Sequence, residues 1–143
     1  MKVSSPIGSF QLSIKGYGQQ NAGWRDRNKL LCEVSTDWQR KHDTQSAPIQ
    51  TWEVSRLLTS LQSLSDKEAS HVAVTFAEPG LSVEATALPD ENYRVQIQLD
   101  HALTPAWHAY PDFPVEMDMT LDREQLRRAI EDLSGQLAQY PER

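Results

Sequence analysis

Residues 71–76, 81–87 and 93–100 each alternate apolar and polar side chains. On a strand, successive side chains point to opposite faces. Val72, Val74 and Phe76, then Leu81, Val83 and Ala85, then Val95, Ile97 and Leu99 therefore share one face. Thr75, Ser82, Glu84, Thr86, Arg94, Gln96 and Gln98 fall on the other. One dry face and one wet face predict an antiparallel meander, because a parallel sheet covered on both sides would show near-continuous apolar runs. Glu78-Pro79-Gly80 joins the first two strands. Pro presets φ for the first central turn position, and Gly supplies the positive φ that a type II turn needs next. Pro89-Asp90-Glu91-Asn92 joins the second pair with similar turn residues.

The same alternation predicts strands at 9–15, with Phe10, Leu12 and Ile14 inward, and at 30–38, with Leu30, Cys32 and Val34 inward. A last strand covers 115–121, with Val115, Met117, Met119 and Leu121 inward and Glu116 and Asp118 on the wet face. Residues 16–28 carry Gly16, Gly18 and Gly23 among polar residues and read as a mobile loop. That glycine spacing is no phosphate cradle, since no strand–loop–helix context surrounds it. Residues 40–48 are polar and leave a short edge strand open.

Val54, Leu57, Leu58, Leu61 and Leu64 recur at helical spacing, as do Leu126, Ala129, Ile130, Leu133 and Leu137. Thr51 is expected to cap the first helix with its hydroxyl, and Glu53 favours the positive end of its dipole. Asp122 is expected to cap the second, with Gln125 completing a capping box and Leu121 and Leu126 forming a hydrophobic staple. Glu124–Arg128, Arg127–Glu131 and Arg128–Asp132 have (i, i+4) spacing. Gly135 marks a point of fraying or bending, and Pro141 ends the helix. No internal repeat is visible. The predicted fold is α+β: one twisted antiparallel sheet of about six strands with both helices packed on its dry face.

A length of 143 residues implies a single domain, 1–143, with enough chain for one core. The formal net charge is −6 and the pI about 5.1. An acidic surface repels phosphate backbones, so nucleic acid is not an expected partner. Arg25, Arg27 and Lys29 form a local cluster, but three charges in a loop are ordinarily just solvated. Cys32 is the only cysteine, which excludes an internal disulfide, and its register makes it a small buried hydrophobe. No apolar run approaches the roughly 20 residues of a membrane span, and the N-terminus lacks an apolar signal-peptide core. A cytoplasmic location follows as the expectation.

Candidate chemistry is sparse. His101, His108 and Asp112 could gather on one loop, but their spacing matches no metal-ligand signature, so solvated histidines are expected and no metal. Glu84, Glu116 and Asp118 share the wet face, where an open sheet would keep them ionised. No nucleophile motif is legible, so no catalytic residue is assigned. Residues 101–114 hold Trp107, Tyr110 and Phe113 among prolines and acids. Aromatics flanked by acids suit a protein-binding hot spot, although rings in such a loop equally serve to cap a core, and Trp24 and Trp38 share that ambiguity.

Several short patterns occur in order along the chain: Ile14-Lys15-Gly16-Tyr17, Asp26-Arg27-Asn28 with Leu30, Thr51-Trp52-Glu53-Val54, Phe76-Ala77-Glu78-Pro79-Gly80-Leu81, and Leu137-Ala138-Gln139-Tyr140-Pro141-Glu142-Arg143. Together the chain resembles the WapI family of bacterial immunity proteins over nearly its whole length. The resemblance implies a small cytoplasmic protein that is not an enzyme and uses no cofactor. It implies a protein partner: a cognate polymorphic toxin domain, typically a nuclease, neutralised by occlusion of its active site. The concentration of acids and aromatics in one stretch places the expected partner-binding surface at Asp100, Trp107, Tyr110, Asp112, Phe113, Glu116 and Asp118. The alternatives are an accessory or small-ligand-binding module without a toxin partner, or an enzyme with an unrecognised site.

Overall fold

Among the described residues eight strands and two α-helices form, six of the strands and both helices where these patterns lie, but they assemble as two sheets. The computed structural model describes residues 1–18, 27–76, 80–110 and 112–143. Strands β1 (Lys2–Ser5), β2 (Gly8–Tyr17), β3 (Lys29–Trp38) and β4 (Lys41–Gln50) form the first antiparallel sheet, in that order. Helix α1 (Thr51–Ser65) follows. Strands β5 (His71–Phe76), β6 (Leu81–Ala87), β7 (Tyr93–Leu99) and β8 (Val115–Leu121) form the second, and α2 (Arg123–Gln139) closes the fold. Four antiparallel strands and then a helix thus occur twice, an architectural repeat that the sequence does not display.

The expectation of one sheet of about six strands is corrected here. Residues 41–50 form a full edge strand, and Lys2–Ser5 adds one that the pattern did not mark. The physical reason for two sheets is coverage. Eight strands at about 4.8 Å spacing would span roughly 38 Å, whereas two helices of about 10 Å diameter cover only about half of that. Folded as two sheets, the dry faces share one core with both helices. Phe10, Leu12, Leu30 and Ile49 from the first sheet join Phe76, Leu81, Ile97, Met117 and Leu121 from the second. The predicted inward sets of the strands hold with Val72 only half-buried, and in the helix stripes Leu58, Ile130 and Leu137 are half-buried. Cys32 is buried, and that burial, with a smaller contribution from Glu53, pushes its thiol up to about 12.

The helix starts follow local chemistry. Asp122 accepts from Gln125 N at 2.8 Å, and Gln125 Oε1 accepts from Asp122 N at 2.9 Å, the expected capping box. At α1 the cap lies one residue earlier than expected. Gln50 is the N-cap, and its N–H donates to Glu53 Oε1 at 3.1 Å. Thr51 instead donates from both its N–H and its hydroxyl to the Asn28 carbonyl, at 2.9 and 2.8 Å. Thr51 is the first helical residue rather than the cap, and the Asn28 carbonyl just before β3 takes its hydroxyl proton. On α2, Arg127 meets both Glu124 and Glu131, and Arg128 meets Glu124 at 3.3 Å. Asp132 pairs with the Met1 terminal ammonium and with Gln136, not with Arg128. The helix runs unbroken through Gly135. Gly80 has the expected positive φ, 109°. Ala77, Glu78 and Pro79 of that turn, and Gly23, Trp24 and Arg25 of the 16–28 loop, lie outside the described residues.

Candidate functional site

The residues expected to bind a partner divide into two groups. Glu116 and Asp118 stand on the outer face of β8, in rows with Gln98 and Gln96 of β7. Asp118 accepts from Arg94 Nε at 3.1 Å and from Arg94 Nη2 at 2.5 Å. That pairing holds its carboxyl below the usual carboxylate range. Glu84, in the same cross-strand row, lies 3.1 Å from His71. These carboxylates and Arg94 line a groove of about 210 Å³. A general acid needs a raised pKa, and the shift resolved at Asp118 runs the other way. Asp100 ends this strip at the mouth of the β7–β8 connection, where it accepts from the His101 N–H at 2.9 Å and so caps a short 3-10 turn, His101–Leu103.

The second group sits on the 100–114 connection itself. Leu99 and Val115 are register partners, so the connection leaves and re-enters the sheet at one place. Leu103 is fully buried, Pro105 is buried, and the 3-10 turn packs beside β4. Trp107 turns inward: it is half-buried against the core and donates from Nε1 to Thr36 Oγ1 of β3 at 3.1 Å. It anchors the loop to the first sheet. His108 N donates to Pro105 O at 3.0 Å, His108 Nε2 donates to Phe113 O at 2.8 Å, and Phe113 N donates to Tyr110 O at 3.0 Å. The resulting turn presents Tyr110 and Phe113, 70% and 66% exposed, with Asp112 exposed between them. Pro111 lies outside the described residues. Each histidine is thus committed to its own neighbourhood, and among the described residues no three His, Cys, Asp or Glu side chains are grouped to hold a metal ion.

A further cluster was not legible in the spacing. Tyr17 donates its hydroxyl to Pro141 O at 2.6 Å, and the Tyr17 and Tyr140 rings meet edge-on at 5.5 Å. The Arg143 guanidinium lies 3.7 Å from the centre of the Tyr17 ring. Arg143 N donates to Asn28 Oδ1 at 2.6 Å, and Asn28 Nδ2 donates back to Arg143 O at 3.2 Å. The Asn28 carbonyl in turn receives both donors of Thr51. Residues from four of the five motifs that carry the family resemblance therefore meet in one clasp. The fifth supplies Gly80, packed against Asp100. Asp26 of the second motif lies outside the described residues. The signal that could have found this clasp is compositional: tyrosines and an asparagine placed outside every apolar stripe.

The clasp is expected to be a stability element. Asn28→Ala removes two hydrogen bonds to residue 143 and should lower stability by about 1–2 kcal/mol, read as a shifted urea midpoint. An unchanged midpoint would show that the tail's docking contributes nothing. Beside the clasp, Trp52 is 56% exposed over a groove of about 410 Å³ between the helices, lined also by Leu58, Leu137 and Pro141. Among the described residues that line that groove, Glu142 is the sole ionisable side chain.

The immunity protein WapI-like family matches residues 4–141. No curated protein matches the chain. Among solved structures, WHY1 from Arabidopsis thaliana is similar at a TM-score of 0.52 and 9% identity, over 98% of this chain and 88% of that one. MRP1/MRP2 of Trypanosoma bruciei is similar at a TM-score of 0.48 and 12% identity, over 95% of this chain and 86% of that one. At such identities the likeness to WHY1 concerns the fold alone. No helix among the described residues is long and apolar enough to cross a membrane.

Proposed function

The chain belongs to the immunity protein WapI-like family, and from that premise we propose that it neutralises a cognate bacterial toxin domain by binding it and covering its active site. The observation that carries this reading is the family match over residues 4–141. The toxin domain is a nuclease in this reading. A nuclease must hold phosphates in a cationic cleft, and a chain of net charge −6 is drawn to such a cleft by long-range attraction. Asp100, Asp112, Glu116 and Asp118 supply acidic surface, Tyr110 and Phe113 supply apolar anchors, and Trp107 holds their loop in place. Occlusion needs shape and charge but no bond-making chemistry, so neither catalysis nor a cofactor enters the reading. It acts where the toxin would otherwise reach the cell's own nucleic acid, in the cytoplasm.

Mixing the purified chain with the toxin domain encoded beside its gene tests this. A stoichiometric complex by gel filtration and calorimetry, together with loss of the partner's toxicity, is the expected result. Two folded proteins that fail to associate would reduce the family relationship to one of fold.

A further inference from the structure

We propose that Tyr110, Asp112 and Phe113 are the partner-selecting residues of this chain, the two rings forming a prong that enters an apolar slot rimmed by Lys or Arg side chains on the toxin domain. The inference rests on the immunity reading above.

Four observations carry it. First, two large rings stand mostly in water within one turn, although the loop that bears them has buried Leu103, Pro105 and much of Trp107. The loop can bury aromatic surface, and these two rings are left out. Second, the described residues of the loop are tied by hydrogen bonds of their own before any partner arrives. The Trp107–Thr36 bond fixes its base, and the bonds among Pro105, His108, Tyr110 and Phe113 fix its tip. A pre-ordered loop loses little conformational freedom on docking, which favours tight binding from a small contact. Third, the chain from Val95 to Asp122 contains no Lys or Arg, while Asp100, Asp112, Glu116, Asp118 and Asp122 are acidic. Of these, Asp118 is paired with Arg94, which lies just outside the stretch. Asp112 is exposed, forms no ion pair among the described residues and lies between the two rings in sequence, so the rim that receives it should be cationic. Fourth, residues 101–114 contain none of the residues that carry the family resemblance, and Tyr17, Asn28, Thr51 and Arg143 among those residues are engaged in the clasp. Shared residues cannot tell one toxin from another. A surface built outside them can.

The test uses the full chain and the toxin domain encoded beside its gene. Association and dissociation rates are measured at several salt concentrations, with the folding midpoint of each variant measured in parallel. Tyr110→Ala with Phe113→Ala should raise Kd by about 100-fold or more, chiefly through faster dissociation, with an unchanged folding midpoint. Asp112→Lys should slow association about tenfold at low salt and flatten its salt dependence. Trp52→Ala, which removes another exposed ring, on α1, should leave both rates unchanged. A wild-type complex that survives both loop changes within threefold would overturn the inference and leave the immunity reading standing. Absence of any wild-type complex would remove both.

Discussion

Gly80→Ala is expected to destabilise the protein by about 3–5 kcal/mol, a large share of the roughly 5–15 kcal/mol that holds a domain together. Two effects add. At φ 109° an L side chain is strained, by about 1–3 kcal/mol. A Cβ built there would also lie 2.3 Å from the Asp100 carbonyl oxygen and 2.8 Å from its carbon. Both are backbone atoms and cannot rotate aside. The turn must shift, and the Asp100 N–H to Gly80 O bond at 2.9 Å weakens with it. Asp100 caps the 3-10 turn that begins the aromatic connection, so the damage reaches the proposed binding loop. Denaturant unfolding with fluorescence and circular dichroism reads the effect. An Ala variant within 1 kcal/mol of the parent would show that the turn has a relaxed alternative.

Phe10→Ala should cost about 3–5 kcal/mol as well, by a different route. Phe10 is fully buried on β2, between Val3 of β1 and Thr36 of β3. Truncation loses the transfer energy of the ring and leaves a cavity under the first sheet that close-packed neighbours fill only in part. Thr36 is the residue that receives the Trp107 indole N–H. The cavity therefore lies beside the anchor of the 100–114 loop, and the variant should lose partner affinity beyond its loss of folded fraction. Thermal unfolding should drop by about 10 °C or more. A drop under about 2 °C would mean that the site collapses without a cavity.

The alternation of β2, β3, β5, β6, β7 and β8 and the stripes of α1 and α2 are local patterns, and a local pattern is readable in order along the chain. Phe10, Leu30, Val83, Ile97 and Met117 are buried as their spacing requires. The capping box at Asp122 is equally local, and it forms as expected. β4 was nearly illegible because its outer half is wet on both faces, so Lys41 to Ser46 show no dry alternation. Thr51 was misread as a cap because its partner, Asn28, is remote in sequence and adjacent only in space.

The candidate site divides the same way. Sequence alone marked the aromatic and acidic stretch and the outward direction of Glu116 and Asp118. It could not tell which ring anchors and which is free, since Trp107, Tyr110 and Phe113 look alike as large side chains in a polar loop. That choice belongs to Thr36, which a strand from the other sheet brings within 3.1 Å of the Trp107 indole. Side-chain period is set residue by residue along the backbone, so the sequence by itself determined six of the strands, β2, β3 and β5 to β8, both helices and their buried faces. The split into two sheets, the clasp around Asn28 and the outward turn of Tyr110 and Phe113 were decided by the tertiary structure. They depend on how much dry surface must be covered and on contacts between segments more than 70 residues apart, such as Thr36 with Trp107 and Asn28 with Arg143.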